Sequence, residues 1–279
     1  MRSTGFVRPS IAGGGATKRG FSGGSPDEDW HQAETEIERV RRVHPFPVSG
    51  LQGFGRSVPM AMVDAARKLG FAYIGISDHS KSAYYAGGLK KDDLERQWEL
   101  IDGLNEKLDG FRIFKGIESD ILPDGSLDYD EDILRCFDFV IASVHSSFKL
   151  KGDDQLARVI KAMDNPHMTM LGHPTGRLLL SRDGYDIDMK AVIDEAAKRG
   201  VVIELNASPY RFDIDWRHLP YAKLRGVTIS INPDAHSGAG LTEVFYGVGI
   251  ARKGWQEAKD ILNTRTTDEV EQVFQRRRR

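Results

Sequence analysis

The sequence predicts an α/β fold in which helices cover both faces of a parallel sheet. From Ser57 onward, short and continuously apolar runs alternate with stretches of helical periodicity. Strands that are apolar throughout and are each followed by a helix are typical of parallel sheets. Glycines stand just before several of these strands, where a helix cap belongs: Gly70, Gly110, Gly200 and Gly226. The same alternation fits a barrel and an open doubly wound sheet, so periodicity alone leaves both architectures open.

The individual elements follow one another in regular order along the chain. Six apolar runs predict strands, at Ala72–Ser77, Arg112–Ile117, Phe137–Val144, Met168–Gly172, Val201–Leu205 and Val227–Ile231. Stretches with helical spacing of apolar residues predict helices, at Val58–Leu69, Lys91–Leu108, Asp153–Met163, Met189–Arg199, Trp216–Arg225, Trp255–Leu262 and Thr267–Phe274.

The chain before Ser57 has a different composition. Residues 1–26 are rich in Gly, Ser, Arg and Pro and have hardly any apolar periodicity, which predicts disorder. A capping pattern at Ser25 and an apolar stripe from Trp30 to Val40 predict a short helix. We therefore divide the chain into a low-complexity leader at 1–43, a folded domain at 44–275 and a basic tail at 276–279.

The overall composition is that of an ordinary globular protein and excludes several classes. The apolar fraction of 40% and net charge of −2 give no support for global nucleic-acid binding, although a local basic cleft remains open. Cys136 is the single cysteine, which excludes internal disulfides and thiolate clusters. No run approaches the roughly 18 apolar residues of a membrane span, and the start lacks a signal peptide's apolar core. We expect a cytoplasmic protein without a membrane partner; its oligomeric state is left open.

Metal-capable side chains follow nearly every predicted strand. In chain order they are Asp78 with His79, Glu118, His145, His173, Asn206, and Asp234 with His236. In a parallel barrel the carboxyl ends of the strands converge on one mouth, where active sites are built. One histidine at a strand end is usually structural, but its recurrence at successive ends predicts a shared site.

The chemistry of this set favours divalent metal ions. Imidazole with carboxylate and without thiolate suits zinc, manganese or iron. About six ligands exceed the four of one tetrahedral ion, so the pattern predicts at least two ions, with Glu118 as the best bridge. Two ions can activate a hydroxide and polarise a phosphoryl oxygen, which favours phosphate-ester hydrolysis. Amide or ring hydrolysis by a binuclear barrel remains open at this point.

Seven ordered segments carry a family resemblance, at Ile76–Ser82, Ala86–Leu89, Lys115–Gly125, Ala142–Ser146, Gly172–Arg177, Glu204–Ala207 and Asn232–Ser237. With them, the chain from about Val58 to Phe274 resembles the PHP (polymerase and histidinol phosphatase) family, and most closely the C-terminal PHP domain of bacterial family X DNA polymerases. The resemblance implies that the domain at 44–275 is a distorted (β/α)7 TIM-like barrel, with up to three metal ions at the strand ends.

The resemblance also implies roles for individual residues. The metal ligands would be His79, Glu118, His145, His173, Asp234 and His236. Glu118 would bridge ions, Asp78 would orient an imidazole, and Arg177 would face the phosphate. Asn206 and Lys81 are placed in or beside the pocket.

The chain departs from the family pattern at its first strand. The family has His-x-His there, followed shortly by Ser-Asp-Gly, and these residues supply three further ligands. The corresponding window, from about Val43 to Arg56, contains only His44 and no carboxylate. The first strand is therefore uncertain, and we expect fewer than three ions and weakened activity.

Together these observations predict a metal-dependent phosphoesterase that uses a metal-activated hydroxide on phosphodiesters or phosphomonoesters. The resemblance adds DNA 3′ ends as substrate, in the manner of a 3′-5′ exonuclease. One alternative is a histidinol-phosphatase-like phosphomonoesterase. The other is a non-catalytic, metal-binding remnant that lacks the first-strand ligands.

Overall fold

The computed structural model of the chain describes residues 57–83 and 87–276. The predicted leader at 1–43 with its short helix and the window of the first strand lie outside these residues. The same holds for the division between leader and domain, and for 277–279 of the predicted basic tail; residue 276 ends the last helix.

The described residues form six strands, and helices lie between them. The strands are β1 Tyr73–His79, β2 Arg112–Asp120, β3 Phe139–Ser143, β4 Met170–Leu171, β5 Val202–Asn206 and β6 Ile229–Asn232. The α-helices are α1 Ser57–Lys68, α2 Lys91–Asn105, α3 Glu131–Leu134, α4 Gly152–Met163, α5 Met189–Arg199, α6 Leu219–Leu224, α7 Val244–Lys253 and α8 Thr267–Arg276. Short 3₁₀ helices are found at Trp216–His218, Ala239–Glu243, Ala258–Asp260 and Leu262–Thr264.

All six strands belong to one parallel sheet, and their order in space follows their order in the chain. A doubly wound sheet reverses its strand order at a switch point, whereas a barrel advances in one direction. The sheet therefore confirms the α/β prediction and favours the barrel over the doubly wound alternative. Within the residues that the structure describes there are six strands, so the predicted count of seven is not reached there.

The two faces of the sheet have different cores. One face carries residues such as Ile74 and Val140 and packs against the surrounding helices. The other face presents large apolar residues near the strand starts to helix α8: Tyr73, Phe114, Phe139, Ile141, Met170 and Val202. The Phe274 ring of α8 lies 5.4 Å from Phe114, edge to face, and 5.3 Å from Phe139, stacked. Because five strands converge on one helix, the sheet is curled, and α8 fills the lower part of its concave face.

The four predicted glycine caps are confirmed. Gly70, Gly110, Gly200 and Gly226 all adopt positive φ, from 66° to 79°, the left-handed conformation in which helices commonly end. Most predicted elements are also found with shifted ends.

Two segments of the second half differ from the prediction. The prediction of a helix at Trp255–Leu262 is wrong. Ile261 lies between two 3₁₀ turns, is extended and pairs with Ile229 of β6. Helix α7 was not predicted, since Gly247 and Gly249 weaken its helical pattern. A Cβ at Gly247 would lie 2.4 Å from Ile231 Cγ2, so this glycine lets α7 approach the sheet closely.

None of the helices in the described ranges combines the length and the apolar character needed to cross a membrane.

We predict that Phe274→Ala destabilises the protein by about 3–5 kcal/mol, because it removes a buried ring from the concave core. Phe245→Ala is the matched control, since that ring on α7 is 42% exposed, and it should cost about 1 kcal/mol or less. Urea unfolding followed by circular dichroism measures both values. Equal losses would show that α8 does not stabilise the concave face.

Candidate metal centre

The Glu118 carboxylate is the point on which three imidazoles converge. Glu118 lies near the end of β2, on the concave face and above the apolar layer, and is 7% exposed. Its Oε1 lies 3.0 Å from His173 Nε2 and 3.3 Å from His145 Nε2, and its Oε2 lies 3.4 Å from His79 Nδ1. His79 is directly opposite Glu118 in the β1–β2 register. Parallel pairing therefore brings together ligands that are 94 residues apart, from His79 to His173.

The geometry of this cluster suits a cation. His79, Glu118 and His145 each offer one ligand atom, and these atoms all lie within 4.8 Å of one another. The ring nitrogen of His79 that faces Glu118, Nδ1, is buried and makes no hydrogen bond. Buried polar atoms are nearly always partnered, so each unpartnered one calls for an explanation. A metal ion is a partner that uses the same nitrogen lone pair.

The carboxylate itself is held in its charged form. Burial alone would raise the pKa of Glu118, but hydrogen bonds to His145 and His173, with the charges of His145 and His79, hold that pKa well below its usual range. Burial lowers the pKa of His173, and the Arg211 guanidinium lowers it further. The centre thus combines an ionised carboxylate with a neutral imidazole, which are the forms that bind metals.

Asp120 orients His145 and is a residue that the sequence analysis missed. Its Oδ1 lies 2.5 Å from His145 Nδ1, while its Oδ2 accepts a hydrogen bond from Ser82 Oγ at 2.9 Å. An imidazole whose Nδ1–H donates to a carboxylate directs its Nε2 lone pair the other way, toward Glu118. Burial disfavours a charged His145, but its contacts with Asp120 and Glu118 outweigh this and raise the pKa to about 10. The sequence signal for Asp120 was its spacing of two residues from Glu118, because residues i and i+2 of a strand point to the same face.

Glu204 was also missed, although it lies on β5 two residues before the predicted Asn206 and on the same face. Its Oε2 accepts the backbone N–H of His173 at 2.5 Å, and its Oε1 accepts from Asn232 Nδ2 at 2.8 Å. Burial, followed by the negative charge of Asp234, raises the pKa of Glu204 to about 8. Glu204 therefore fixes the backbone of His173, whose φ of 21° is unusual for a residue with a side chain.

The predicted residues from the ends of the last two strands, β5 and β6, form a separate group. Asn206 Nδ2 donates to Asp234 Oδ2 at 3.3 Å, and Arg211 Nε lies 4.0 Å from the same oxygen. His236 is exposed, and its Nδ1 contacts the backbone oxygen of Asp234 at 2.9 Å. Asp234 and Asn206 are thus adjacent to each other, while His236 is not brought into the Glu118 cluster.

Two predicted residues, Asp78 and Lys81, make other contacts. Asp78 lies one residue from His79, so it points to the opposite face of β1, where it accepts a hydrogen bond from Gln97 Nε2 at 2.5 Å. Lys81 is exposed and lies 5.5 Å from the centre of the Tyr129 ring. The expected role of Asp78 in orienting an imidazole and the expected place of Lys81 in or beside the pocket stay predictions.

Arg177 binds the protein's own backbone and a carboxylate. Its Nε donates to the carbonyl of Arg211 at 2.9 Å, its Nη1 donates to Asp215 Oδ2 at 2.7 Å, and its Nη2 donates to the carbonyl of Phe212. These contacts join two loops at the carboxyl ends of the strands. The expected contact of Arg177 with phosphate stays a prediction.

Comparisons with known proteins agree with this architecture. No family model matches the chain. The DNA polymerase/3′-5′ exonuclease PolX of Bacillus subtilis is 45% identical over 215 residues, which are 77% of this chain and 38% of that protein. A probable phosphatase of Thermoanaerobacter sp. is 31% identical over 188 residues, which are 60% of this chain and 74% of that protein.

A solved structure shows the same fold. The histidinol phosphate phosphatase of Lactococcus lactis, complexed with zinc, L-histidinol and phosphate, superposes with a TM-score of 0.52 at 16% identity. The superposition covers 76% of this chain and 92% of that one. The chain therefore shares the curled α/β fold with that enzyme, and by its sequence relatives it belongs to the PHP family.

Proposed function

We propose that the chain is a metal-dependent phosphoesterase whose centre is the Glu118 cluster. The observation that carries the proposal is the convergence of three imidazoles on one buried, ionised carboxylate. A purely structural role would not require His79 to keep a buried nitrogen that faces the carboxylate without a hydrogen bond. We assign His79, Glu118, His145 and His173 as the residues that hold the ion, with zinc or manganese, and secondarily iron, as the candidates.

A bound divalent ion would polarise a phosphoryl oxygen and lower the pKa of a coordinated water, which is the chemistry that phosphate-ester hydrolysis needs. The protein's own residues prepare the site for this chemistry. Asp120 holds the tautomer of His145, and Ser82 holds the Asp120 carboxylate. Glu204 fixes the backbone of His173.

Asp234 and Arg211 form the second half of the proposed site. Asn206 orients the Asp234 carboxylate, which we keep as a ligand of a second ion. Arg211 carries a guanidinium beside it, and a guanidinium suits the bidentate binding of a phosphate. We propose that the substrate phosphate lies between Glu118 and Arg211.

The proposed substrate is a phosphodiester at a DNA 3′ end. The 45% identical relative supports this, since it is named a DNA polymerase/3′-5′ exonuclease, but the match spans only 38% of its length. A phosphomonoester is the second candidate, because the matched part of the chain covers 74% of a relative named a probable phosphatase.

The first test measures metal content and turnover together. We predict that Glu118→Gln lowers bound zinc or manganese after dialysis and reduces hydrolysis of bis(p-nitrophenyl) phosphate at least 100-fold, because the carboxylate charge is lost. Glu106→Gln, at an exposed glutamate after α2, should leave both unchanged. Full metal content in Glu118→Gln would contradict the metal assignment. A wild-type protein that binds metal without turnover would be the non-catalytic remnant.

A second prediction concerns the pairing of Asp120 with His145. Partners that orient a metal-bound imidazole typically contribute 10- to 100-fold to metal affinity or activity. We therefore expect Asp120→Asn to weaken manganese binding by about 10- to 100-fold, as measured by isothermal titration calorimetry. Asp109→Asn, at an exposed aspartate, is the matched control. An unchanged affinity in Asp120→Asn would remove Asp120 from the metal centre.

The third prediction concerns pH. The pKa of about 10 for His145 means that the metal-free protein holds a proton there at neutral pH. An ion must displace this proton, so metal affinity should rise with pH, by at most about tenfold per unit for one proton. Calorimetric titrations between pH 6.5 and 8.5, in buffers of different ionisation enthalpy, measure both the affinity and the protons released. An affinity that is constant over this range would contradict the assignment of His145.

A further inference from the structure

Exposed apolar side chains are concentrated on two loops at the mouth of the metal centre. Seven large hydrophobic residues are well exposed in the part of the chain that the structure describes. Three of them are Leu179, Leu180 and Tyr210, and the side chains of Leu180 and Tyr210 are 110% and 74% exposed. We call the loops 178–182 and 208–212, which carry these residues, the rim. Grouped exposed apolar residues on a soluble surface commonly mark a binding site.

Backbone hydrogen bonds hold the two loops of the rim in place. Leu178 and Arg182 exchange two backbone hydrogen bonds of 2.8 Å, which close a tight turn with Leu180 at its tip. Leu180 has a φ of 62°, a conformation that costs energy for a residue with a side chain and persists only where the surroundings enforce it. The backbone N–H of Leu179 donates to the carbonyl of Tyr210 at 2.7 Å, which joins the two turns.

Arg177 fastens the same two loops. It directly precedes the first turn, and its guanidinium donates to the carbonyls of Arg211 and Phe212 in the second. The Arg182 guanidinium adds to the first turn by donating to the carbonyl of Gly176, and it lies 4.3 Å from the centre of the Phe148 ring. The rim therefore presents its apolar side chains from a fixed backbone.

The second turn begins and ends at the metal centre. Asn206 accepts the backbone N–H of Ser208 at 3.1 Å, and its own N–H donates to the carbonyl of Asp213 at 2.6 Å. Arg211 directly follows Tyr210, and its Nε lies 4.0 Å from Asp234 Oδ2. Tyr210 is thus the neighbour in sequence of Arg211, the residue whose guanidinium is proposed to bind the substrate phosphate.

We infer that the rim binds the terminal base of a single-stranded nucleic acid, with the base stacked on Tyr210 beside Leu179 and Leu180. This inference rests on the proposed function and deepens it, because it names the element that distinguishes a nucleotide from a bare phosphate ester. An aromatic ring next to a cation matches a base next to its phosphate, and base–aromatic stacking tolerates any sequence. A protein surface would gain from the apolar residues but would leave the adjacent Arg211 and metal centre unused.

Binding without catalysis tests the inference first. The probe is a fluorescein-labelled single-stranded oligothymidylate, and its dissociation constant from the metal-free full chain is measured by fluorescence anisotropy. Tyr210→Ala should weaken binding about 5- to 100-fold, the range expected for one stacked base. Tyr210→Trp should restore it. Tyr246→Ala is the matched control, because Tyr246 is 58% exposed on α7, outside the rim, and it should change nothing.

A thermodynamic cycle isolates the stacking contact. The same oligonucleotide with abasic residues at its three 3′-terminal positions should bind wild type and Tyr210→Ala equally, because no base remains at the 3′ end to stack on Tyr210. The inference would be overturned if Tyr210→Ala weakened the binding of both oligonucleotides equally, or if it weakened the binding of neither. A protein partner would then be left as the occupant of the rim.

The proposed function is tested separately with the manganese-loaded enzyme. Turnover of bis(p-nitrophenyl) phosphate by the wild type should be matched by Tyr246→Ala, because that substitution lies outside the rim. Failure of the wild type on this substrate counts against the phosphoesterase proposal alone.

Discussion

A carboxylate that is removed from water must be paired with donors or positive charge, and Glu118 meets this requirement with three imidazoles. It lies on β2, 7% exposed, where parallel pairing brings the ends of β1, β3 and β4 together. His79 is set by strand register, His145 by Asp120 and His173 by Glu204. The polar side chains at the strand ends are therefore arranged around one buried charge.

The concave face divides into two layers because α8 occupies only one of them. Near the strand starts, Phe114 and Phe139 pack on Phe274 and exclude water. Two residues further along, β2 changes from Phe114 through Gly116 to Glu118 on the same face, and a Cβ at Gly116 would lie 2.1 Å from the Phe139 ring. The apolar layer packs directly beneath the polar layer. Because its surroundings are weakly polar, the electrostatic interactions between Glu118 and the imidazoles are stronger than they would be in water.

The sequence predicted the sheet, most helices and the family, because apolar runs and strand-end histidines are local signals. It did not predict α7, whose Gly247 lets the helix pack closely against β6. It also did not predict the extended Ile261, which pairs with Ile229 of β6, 32 residues earlier in the chain. Tertiary contacts override local propensity at both places.

Residue roles were harder to predict than the elements that carry them. Asp120 and Glu204 were missed because each acts through another residue, Asp120 through His145 and Glu204 through His173. Arg177 was expected to face phosphate, and its described contacts join two loops instead. Alternation along a strand would have pointed to Asp120 and placed Asp78 on the outer face, whereas the partners of Arg177 depend on loop geometry that local patterns do not encode.

The central claim is that the imidazoles converge on Glu118 in order to hold a metal ion. The most direct measurement is an anomalous difference map from crystals of manganese-soaked protein, collected at a wavelength where manganese scatters anomalously. The account predicts a peak within bonding distance of Glu118, His145 and at least one of His79 and His173. A fully ordered cluster with no anomalous peak, in protein that is saturated with manganese, would contradict it.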